Sequence, residues 1–281
     1  MMGKTEPMSN FEILENNKAV LHYNLTCNDV DGYSQTRLLT YENLVQEAAG
    51  LHAHYRQFGI YDLQKENKTW VIARSRMEIC RYGMWPEAVE VITWPLDSTG
   101  FNCPRHVEAA DENGEKLFSC ETKWAIIDFT TGRPLRAAEI STKLKTPPKE
   151  EQGESKLPPL LDEEKNAQCV LSRYIPRIHY LDTDLNKHVN NLSYITWCLE
   201  ALPNDFRDAY KPSLVDVRWI KQCYRHDNLS VVVRAEDSNE LTKDEPGLWY
   251  DFFRTEESGA QTKVFEAWIK WKKREDMILR K

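Results

Sequence analysis

The sequence predicts an α+β protein made of two tandem copies of one unit, each with a long helix wrapped by an antiparallel sheet. Only two long helical patterns occur in the 281 residues, and each is followed by strand-like segments in the same order. Landmarks in the two halves also recur at a nearly constant offset, which indicates an internal duplication. Asn113-Gly114 and Ser258-Gly259 are 145 residues apart, Trp124 and Trp268 are 144 apart, and strand patterns that start at Val89 and Leu229 are 140 apart.

The first helix is predicted over residues 40–59. Thr40 is a candidate cap at its start, and Gly59 is a candidate stop at its end. Apolar residues recur every three or four positions within it, as expected of a helix that buries one face. These positions are Leu44, Ala48, Leu51 and Tyr55.

The second helix is predicted over residues 190–203. Asn190 or Asn191 caps its start, and Pro203 ends it. Its apolar face has the same helical spacing as that of the first helix. The residues on this face are Leu192, Ile195, Leu199 and Leu202.

Four strand patterns follow each helix, and wrapping them around the helix would bury one face of the sheet. We therefore predict a double hotdog fold. The strands are predicted at residues 69–82, 88–96, 103–111 and 117–129, and at 213–223, 229–236, 248–256 and 263–271. The predicted domains are an N-terminal hotdog over residues 10–138, a Pro-rich charged linker over 139–168, and a C-terminal hotdog over 169–276.

Composition argues against several classes of protein. The seven cysteines are scattered without a CxxC pair, so we expect neither a disulfide framework nor a zinc site. The net charge of -7 disfavours a nucleic-acid partner, and no apolar run is long enough to span a membrane. Because the N-terminal residues show no export or lipid-anchor signal, we expect a cytoplasmic protein. We also expect that it uses no cofactor. The sequence leaves open whether it forms a homodimer.

Hydrogen-bonding side chains are concentrated directly before the second helix. Asp184, Asn186 and His188 alternate there, so in an extended segment their side chains point the same way. The start of the helix would add unpaired backbone N–H groups and the positive end of the helix dipole. Such a site would stabilise the oxyanion of an acyl transfer, and this predicts an acyl-transfer site.

The first half has a matching segment at residues 28–36, which keeps Asp29 and Asp31 but has no Asn or His at the same spacing. A residue that the turn requires should occur in both copies, whereas a catalytic residue need occur in only one. The simpler alternative is that these acids and amides only cap a helix, as they most often do.

The run LDTDLNKHVNNLSYITWCLEALP resembles the signature of the acyl-ACP thioesterases, the plant FatA/FatB enzymes and their bacterial relatives. NKTWVIARSRMEICRYGMWPEAVEVITWP resembles the N-terminal hotdog segment of the same family. The resemblance implies hydrolysis of the thioester that joins a fatty acyl chain to the phosphopantetheine arm of acyl carrier protein. It also implies that Asp184, Asn186 and His188 are active-site residues.

A second family motif, an acid followed by Cys, falls on Gln222-Cys223, so the cysteine is present and the acid is replaced by an amide. An amide can orient water or substrate but cannot act as a general base. Two mechanisms remain. Cys223 is a thiolate nucleophile activated by His188, or Asp184 or His188 activates water and Cys223 only packs. We favour attack by water, with Asn186 and the helix N–H groups binding the carbonyl oxygen.

The resemblance implies that the acyl chain binds in the first hotdog, although every candidate there also fits an ordinary core. The candidates for its lining are Leu44, Ala48, Leu51, Trp70, Ile72 and Met77.

Acyl carrier protein is acidic, so the docking face should be basic. Arg218, Lys221 and Arg225 flank Gln222-Cys223 and are the candidates for docking. Arg74, Arg76 and Arg81 are their counterparts in the first half. Solvated strand edges are the ordinary explanation for such residues.

Two other functions fit the same fold. One is an acyl-CoA thioesterase, and the other is a non-catalytic protein that binds acyl thioesters. The intact set of Asp184, Asn186 and His188 argues against the non-catalytic protein. A metal hydrolase is disfavoured because the sequence has no cluster of metal ligands.

Overall fold

The computed structural model of the protein describes residues 9–136, 143–153, 157–158 and 166–277. The chain divides into two compact units, Met1–Leu157 and Pro158–Lys281. Each unit has an antiparallel sheet and a central helix, which confirms the predicted α+β architecture. Part of the predicted linker, at residues 139–142, 154–156 and 159–165, lies outside the described residues. In the described ranges, no helix is long and apolar enough to cross a membrane.

The N-terminal unit has a sheet of strand order β1-β2-β4-β5-β6-β3, with every neighbouring pair antiparallel. Its elements are β1 (Phe11–Ile13), β2 (Ala19–Asn24), α1 (Leu38–Tyr55), α2 (Ile60–Gln64), β3 (Lys68–Ile79), β4 (Ala88–Pro95), β5 (Cys103–Asp111), β6 (Lys116–Asp128) and α3 (Lys149–Gln152).

The C-terminal unit has a sheet of strand order β8-β11-β10-β9-β7, again antiparallel throughout. Its elements are β7 (Cys169–Tyr174), α4 (Asn191–Glu200), α5 (Asn204–Ala209), β8 (Tyr210–Trp219), β9 (Asn228–Ala235), β10 (Gly247–Thr255) and β11 (Gln261–Lys273), with short 3-10 turns at Tyr180–Asp182, Glu240–Thr242 and Arg274–Met277.

Helix α1 begins and ends earlier than predicted. Arg37, not Thr40, is the capping residue, and Thr40 lies in the first turn with its hydroxyl 3.2 Å from the carbonyl oxygen of Asp29. At the other end the helix stops at Tyr55, and Gly59 caps α2 instead. The apolar spacing identified the helix, but the chain continues through a second short helix before β3.

Three contacts fix how α1 lies on its sheet. The ring of Tyr55 stacks on Phe11 of β1, and His52 contacts Arg105 of β5. On the opposite flank of the helix, Ser75 of β3 donates a hydrogen bond to Glu42 at 3.4 Å. The helix therefore presents different flanks to the two sides of its sheet.

The duplicated hairpin turns are confirmed, but the tryptophan landmark is wrong. Gly114 and Gly259 both have left-handed backbone, with φ of 79° and 82°. From these turns onward β6 and β11 align at an offset of 145 residues, which pairs Trp124 with Ile269. Trp268 lies on the other face of β11, opposite Trp249, so the two tryptophans are not equivalent.

Helix α4 is shorter than predicted, and it packs through aromatic rings. It ends at Glu200, and Pro203 caps the start of α5. Tyr194 is 2 % exposed and stacks on Phe265 of β11, with ring centroids 5.0 Å apart. This contact fixes the helix that follows the candidate active-site segment.

Candidate functional site

The segment before α4 forms a tight turn, not an extended strand. Thr183 and Val189 pair as an antiparallel bridge, and the N–H of Asp184 donates to the carbonyl of His188 at 2.8 Å. Lys187 has left-handed backbone, with φ of 64°. The period of two expected for an extended strand therefore does not describe this segment.

The carboxylate of Asp184 holds this turn together. Its Oδ1 accepts the N–H of Asn186 at 2.8 Å and the N–H of His188 at 3.1 Å. Side-chain acceptors of this kind satisfy backbone donors that a turn leaves unpaired. Asp184 thus fixes the backbone at both of the other predicted active-site residues.

The first unit contains the same turn, 153 residues earlier. Asp31 accepts the N–H of Tyr33 at 3.0 Å and the N–H of Gln35 at 3.2 Å. Its own N–H donates to Gln35 at 2.8 Å, and Ser34 is left-handed with φ of 62°. Every backbone feature of the Asp184 turn is therefore repeated.

The acid before each turn is duplicated as well. Asp29 accepts the N–H of Thr26 at 2.8 Å, and Asp182 accepts the N–H of His179 at 2.6 Å. Both acids occur in both copies with the same hydrogen bonds, which is what a structural requirement of the turn predicts. Asn186 and His188, in contrast, are replaced by Tyr33 and Gln35 in the first copy.

Each turn is anchored to the loop that follows the next strand. The N–H of Val189 donates to the carbonyl of Cys223 at 2.8 Å, and the N–H of Thr36 donates to Gly83 at 2.8 Å. Because β8 ends at Trp219, Gln222-Cys223 lies in the β8–β9 connection and not on the strand as predicted. Cys223 occupies the position of a glycine in the first unit, so the anchor needs no side chain there.

Cys223 is a buried neutral thiol. It is 0 % exposed, and its side chain is hydrogen-bonded to the hydroxyl of Tyr194. Burial raises the pKa of the thiol to about 11. A thiolate is the nucleophilic form of cysteine, and little of it exists at neutral pH under these conditions.

His188 is half-buried, and its ring meets the edge of Tyr224 with centroids 5.1 Å apart. Burial lowers the pKa of the imidazole below 6.5, while the negative charge of Asp184 acts in the opposite direction. The imidazole is therefore mainly neutral at pH 7 and able to accept a proton.

The start of α4 is capped, as predicted, by Asn190. Its Oδ1 accepts the N–H of Leu192 at 2.9 Å, and its carbonyl accepts the N–H of Ser193 at 3.0 Å. These two helix N–H groups are therefore occupied and do not serve as the oxyanion donors that the sequence suggested.

Gln222 is exposed, and its backbone carbonyl oxygen accepts a hydrogen bond from Arg254 at 3.1 Å.

Tyr194 and Tyr224 were not among the predicted site residues, although Tyr194 contacts Cys223 and Tyr224 contacts His188. Tyr194 lies 153 residues after Tyr41, whose hydroxyl accepts the N–H of Gly83 at 2.7 Å. The offset of 153 residues, which also separates the two turns, was the signal that could have identified Tyr194.

The predicted acyl-chain residues fall into two groups. A bulge between Ile72 and Arg74 puts Trp70, Ile72 and Met77 on the face of β3 that turns towards Glu42 of α1. Leu44, Ala48 and Leu51 lie within about 60° of each other around the helix axis, on the flank of Tyr55. The structure does not bring the two groups onto one flank of α1.

The basic residues predicted to dock the carrier differ in exposure and in ion pairing. In the C-terminal unit Lys221 and Arg225 are exposed, whereas Arg218 forms an ion pair with the buried Glu266. In the first unit the counterparts do not form a docking face, because Arg74 and Arg81 are 5 % and 4 % exposed.

In the part of the chain that the structure describes, no group of three or more His, Cys, Asp or Glu side chains is placed to hold a metal ion. The residues gathered around the turn offer proton transfer and hydrogen bonding. They suit hydrolysis of an activated acyl group.

Comparison with solved structures finds the same fold. An acyl-ACP thioesterase from Bacteroides thetaiotaomicron superposes with a TM-score of 0.70 at 23% identity, covering 92% of this chain and 99% of that one. The 12:0-ACP thioesterase from Umbellularia californica gives 0.70 at 22% identity, covering 91% and 97%. Both superpositions span the two units, so the double hotdog fold is confirmed.

Comparison of sequences gives the family. The chain is 27% identical over 220 residues to oleoyl-acyl carrier protein thioesterase 2 of Arabidopsis thaliana, covering 72% of this chain and 59% of the relative. It is 28% identical over 184 residues to a palmitoyl-acyl carrier protein thioesterase of Cuphea hookeriana, covering 63% and 43%. The chain thus spans about half the length of the curated relatives it matches. Residues 16–143 match the acyl-ACP thioesterase N-terminal domain and residues 163–273 match the C-terminal domain. The chain therefore belongs to the acyl-ACP thioesterase family.

Proposed function

We propose that this protein hydrolyses the thioester between a fatty acyl chain and acyl carrier protein, releasing a free fatty acid and ending fatty acid synthesis. The observation that best supports this proposal is the duplicated turn. Two copies share one backbone scaffold, and only the second has an amide and an imidazole at the two variable positions, Asn186 and His188. The plant relatives named above, which act on oleoyl and palmitoyl carriers, support the substrate class.

In the proposed mechanism His188 is the general base. The neutral imidazole takes a proton from a water molecule, and the hydroxide attacks the thioester carbonyl. The side-chain amide of Asn186 donates to the oxyanion that forms. When the tetrahedral intermediate collapses, the carbon–sulfur bond breaks, and the imidazolium returns its proton to the leaving phosphopantetheine thiol.

The alternative, in which Cys223 attacks and forms an acyl-enzyme, has less support. The thiol is buried, and burial raises its pKa to about 11 although the hydrogen bond with Tyr194 acts in the opposite direction. Gly83 holds the matching place in the first unit and anchors its turn through the same carbonyl contact. Cys223 thus acts through its backbone and through packing, and Gln222 at the neighbouring position can orient water or substrate.

The acyl chain is assigned to the N-terminal hotdog, residues 10–138, and the chemistry to the C-terminal hotdog, residues 169–276. Trp70, Ile72 and Met77 share one face of β3 towards α1, which supports their role in lining the chain-binding slot. Leu44, Ala48 and Leu51 are the candidates on α1 itself.

The carrier docks, in this proposal, on the β8–β9 connection beside the active site. Lys221 and Arg225 are exposed there, and the guanidinium of Arg225 lies over the ring of Tyr180 at 5.7 Å. Arg218 is nearby on β8 but is ion-paired with Glu266. An acidic carrier would be attracted to this surface.

The test is a direct comparison of substrates. Purified protein is incubated with acyl-ACP and with the matching acyl-CoA, and the released free fatty acid is measured. We expect a higher kcat/KM on acyl-ACP, and a lower one after the double substitution Lys221→Glu and Arg225→Glu, with acyl-CoA turnover unchanged. Preference for acyl-CoA would favour the acyl-CoA thioesterase, and binding without turnover of either substrate would favour the non-catalytic protein.

A further inference from the structure

The interior of the N-terminal unit contains an arginine without an acidic partner. Arg105 lies on β5, faces α1, and is 5 % exposed. Its Nη1 donates to Nδ1 of His52 at 3.1 Å and to the hydroxyl of Thr93 at 3.1 Å. Neither partner carries a negative charge, so the guanidinium charge is left unbalanced.

The contact with Arg105 fixes the protonation state of His52. An arginine nitrogen can only donate, so Nδ1 of His52 is the acceptor and the proton is on Nε2. His52 is 0 % exposed, and its Nε2 has no hydrogen-bond partner in the described structure. Burial and the charges of Arg105 and Arg56 lower the pKa of His52 to about 2, which keeps the ring neutral.

Arg56, one turn after His52, adds a second cation. Its Nη2 donates to the side chain of Asn17 at 2.5 Å, while its Nε is buried without a partner. Within the described residues, none of His52, Arg56 and Arg105 forms an ion pair. The cluster therefore has an excess of positive charge and two buried N–H donors without an acceptor.

A buried cation is costly unless an anion accompanies it. Nη1 of Arg105 donates to His52 and Thr93. The other edge of the guanidinium, formed by Nε and Nη2, makes no hydrogen bond to the described residues. That edge presents two parallel N–H groups, which match the two oxygens of a carboxylate. Among the neighbouring inward residues, Val45 on α1 and Val107 on β5 are apolar and 0 % exposed. Thr122, opposite Arg105 on β6, is polar, and its hydroxyl donates to the backbone carbonyl of Arg105 at 3.4 Å. A carboxylate on a hydrocarbon chain fits both features.

We propose that the interior of the N-terminal unit binds a carboxylate carried on a hydrocarbon chain, held by the Nε–Nη2 edge of Arg105, with His52 and Arg56 as the additional donors. The carboxylate belongs either to a free fatty acid or to the far end of an acyl chain that carries a terminal carboxyl group. Binding of the free acid does not depend on the thioesterase activity. Only the second source depends on the proposed function.

The first experiment measures binding by titration calorimetry, using dodecanoate and dodecanol as matched probes. If the free acid is the ligand, wild-type protein binds dodecanoate more tightly than dodecanol, and Arg105→Met removes the difference, a loss of about 10- to 100-fold for a charge-assisted bidentate contact. Arg105→Lys keeps the positive charge but loses the two parallel N–H donors, and should give an intermediate affinity for dodecanoate. Arg133→Met, which removes an exposed arginine, is the control and should bind like wild type.

Thermal stability separates a binding role from a structural one. Because the charge is unbalanced in the free protein, Arg105→Met should leave the melting temperature unchanged or raise it. Added dodecanoate should raise the melting temperature of wild type but not of Arg105→Met. A strongly destabilised Arg105→Met protein together with equal binding of both probes to wild type and Arg105→Lys would mark Arg105 as structural and contradict the free-acid arm.

The second experiment tests the other source. If the carboxylate is on the acyl chain, Arg105→Met lowers kcat/KM at least about 10-fold for an acyl-ACP with a terminal carboxyl group. Turnover of the methyl-terminated acyl-ACP stays unchanged, which checks the thioesterase activity separately. No carboxylate preference in either experiment overturns the proposal.

Discussion

Asp184 and Asp31 provide a matched pair of substitutions, because each carboxylate holds the same turn in its own unit. Each accepts two backbone N–H groups, at 2.8 and 3.1 Å for Asp184 and at 3.0 and 3.2 Å for Asp31. Replacing such a capping side chain by alanine costs about 1–2 kcal/mol of stability. We therefore expect Asp184→Ala and Asp31→Ala to lower the free energy of unfolding by similar amounts, measured by urea denaturation.

The same two variants should differ sharply in activity. Asp184→Ala loosens the backbone at Asn186 and His188 and should lower kcat by about 100-fold or more. Asp31→Ala loosens a turn that carries Tyr33 and Gln35, so its rate of fatty acid release should remain near that of wild type.

Asp184→Asn then separates the charge from the hydrogen bonds. The amide oxygen can still accept both N–H groups, so most of the stability should return. Removing the negative charge takes away what stabilises the His188 imidazolium, so the pKa of His188 falls further. The acid limb of the kcat/KM profile should therefore move to lower pH. Abolished turnover in a stable Asp184→Asn protein would make Asp184 itself the base, and a shift to higher pH would refute the electrostatic argument.

Three further predictions follow from buried groups. Burial raises the pKa of Glu42 from 4.5 to about 7, so its contribution to stability is fully present below pH 4.5 and is lost as the pH rises to 7, a decrease of about 3 kcal/mol. Glu42→Gln should abolish this part of the pH dependence when the free energy of unfolding in urea is compared at pH 5 and pH 8. If the difference between the two pH values is the same in the variant as in wild type, Glu42 is ionised in the folded protein. Cys223→Ala should retain most activity and iodoacetamide should inhibit weakly, while a trapped acyl-enzyme on Cys223 would establish the thiolate mechanism instead. Ala48→Phe and Ala49→Phe fill opposite flanks of α1, at a stability cost of about 1–3 kcal/mol, and the flank that holds the acyl tail should be the one whose variant releases shorter fatty acids. Two stable variants with unchanged products would place the tail away from α1.

The fold was predictable because its signals are local and repeated. Helical spacing located α1 and α4, and the Gly114 and Gly259 turns aligned the later strands of the two units. The ends of α1 were not predictable in the same way. The capping residue, Arg37, is held by a hydrogen bond from its N–H to the carbonyl of Asp29 at 2.8 Å across a loop, which no spacing along the chain reveals.

The candidate site shows where the pattern along the chain was insufficient. The sequence identified Asp184, Asn186 and His188 as a set and showed that only acids recur in the first half, but it did not show what the Asp184 carboxylate does. Its role in holding the turn comes from backbone hydrogen bonds shared with Asp31. The duplicated turns lie 153 residues apart, outside the offsets of 140 to 145 found from strands and hairpins, because α1 is longer than α4.

The state of Cys223 was also beyond the sequence. The sequence favours packing over a nucleophilic role for this cysteine beside the candidate site, but both roles stay open until its surroundings are known. Burial raises the pKa of the Cys223 thiol to about 11 and outweighs the hydrogen bond with Tyr194, which lowers it, so the surroundings favour a protonated packing residue.

The most direct test of the account is the rate of acyl-ACP hydrolysis by His188→Gln. This change gives the second turn the residue that Gln35 holds in the first, on the same backbone and with the same hydrogen bonds. The account predicts a folded protein with a wild-type melting temperature and a kcat lowered by about 100-fold or more, because glutamine cannot accept the proton from water. A folded His188→Gln protein that releases fatty acid at the wild-type rate would contradict it.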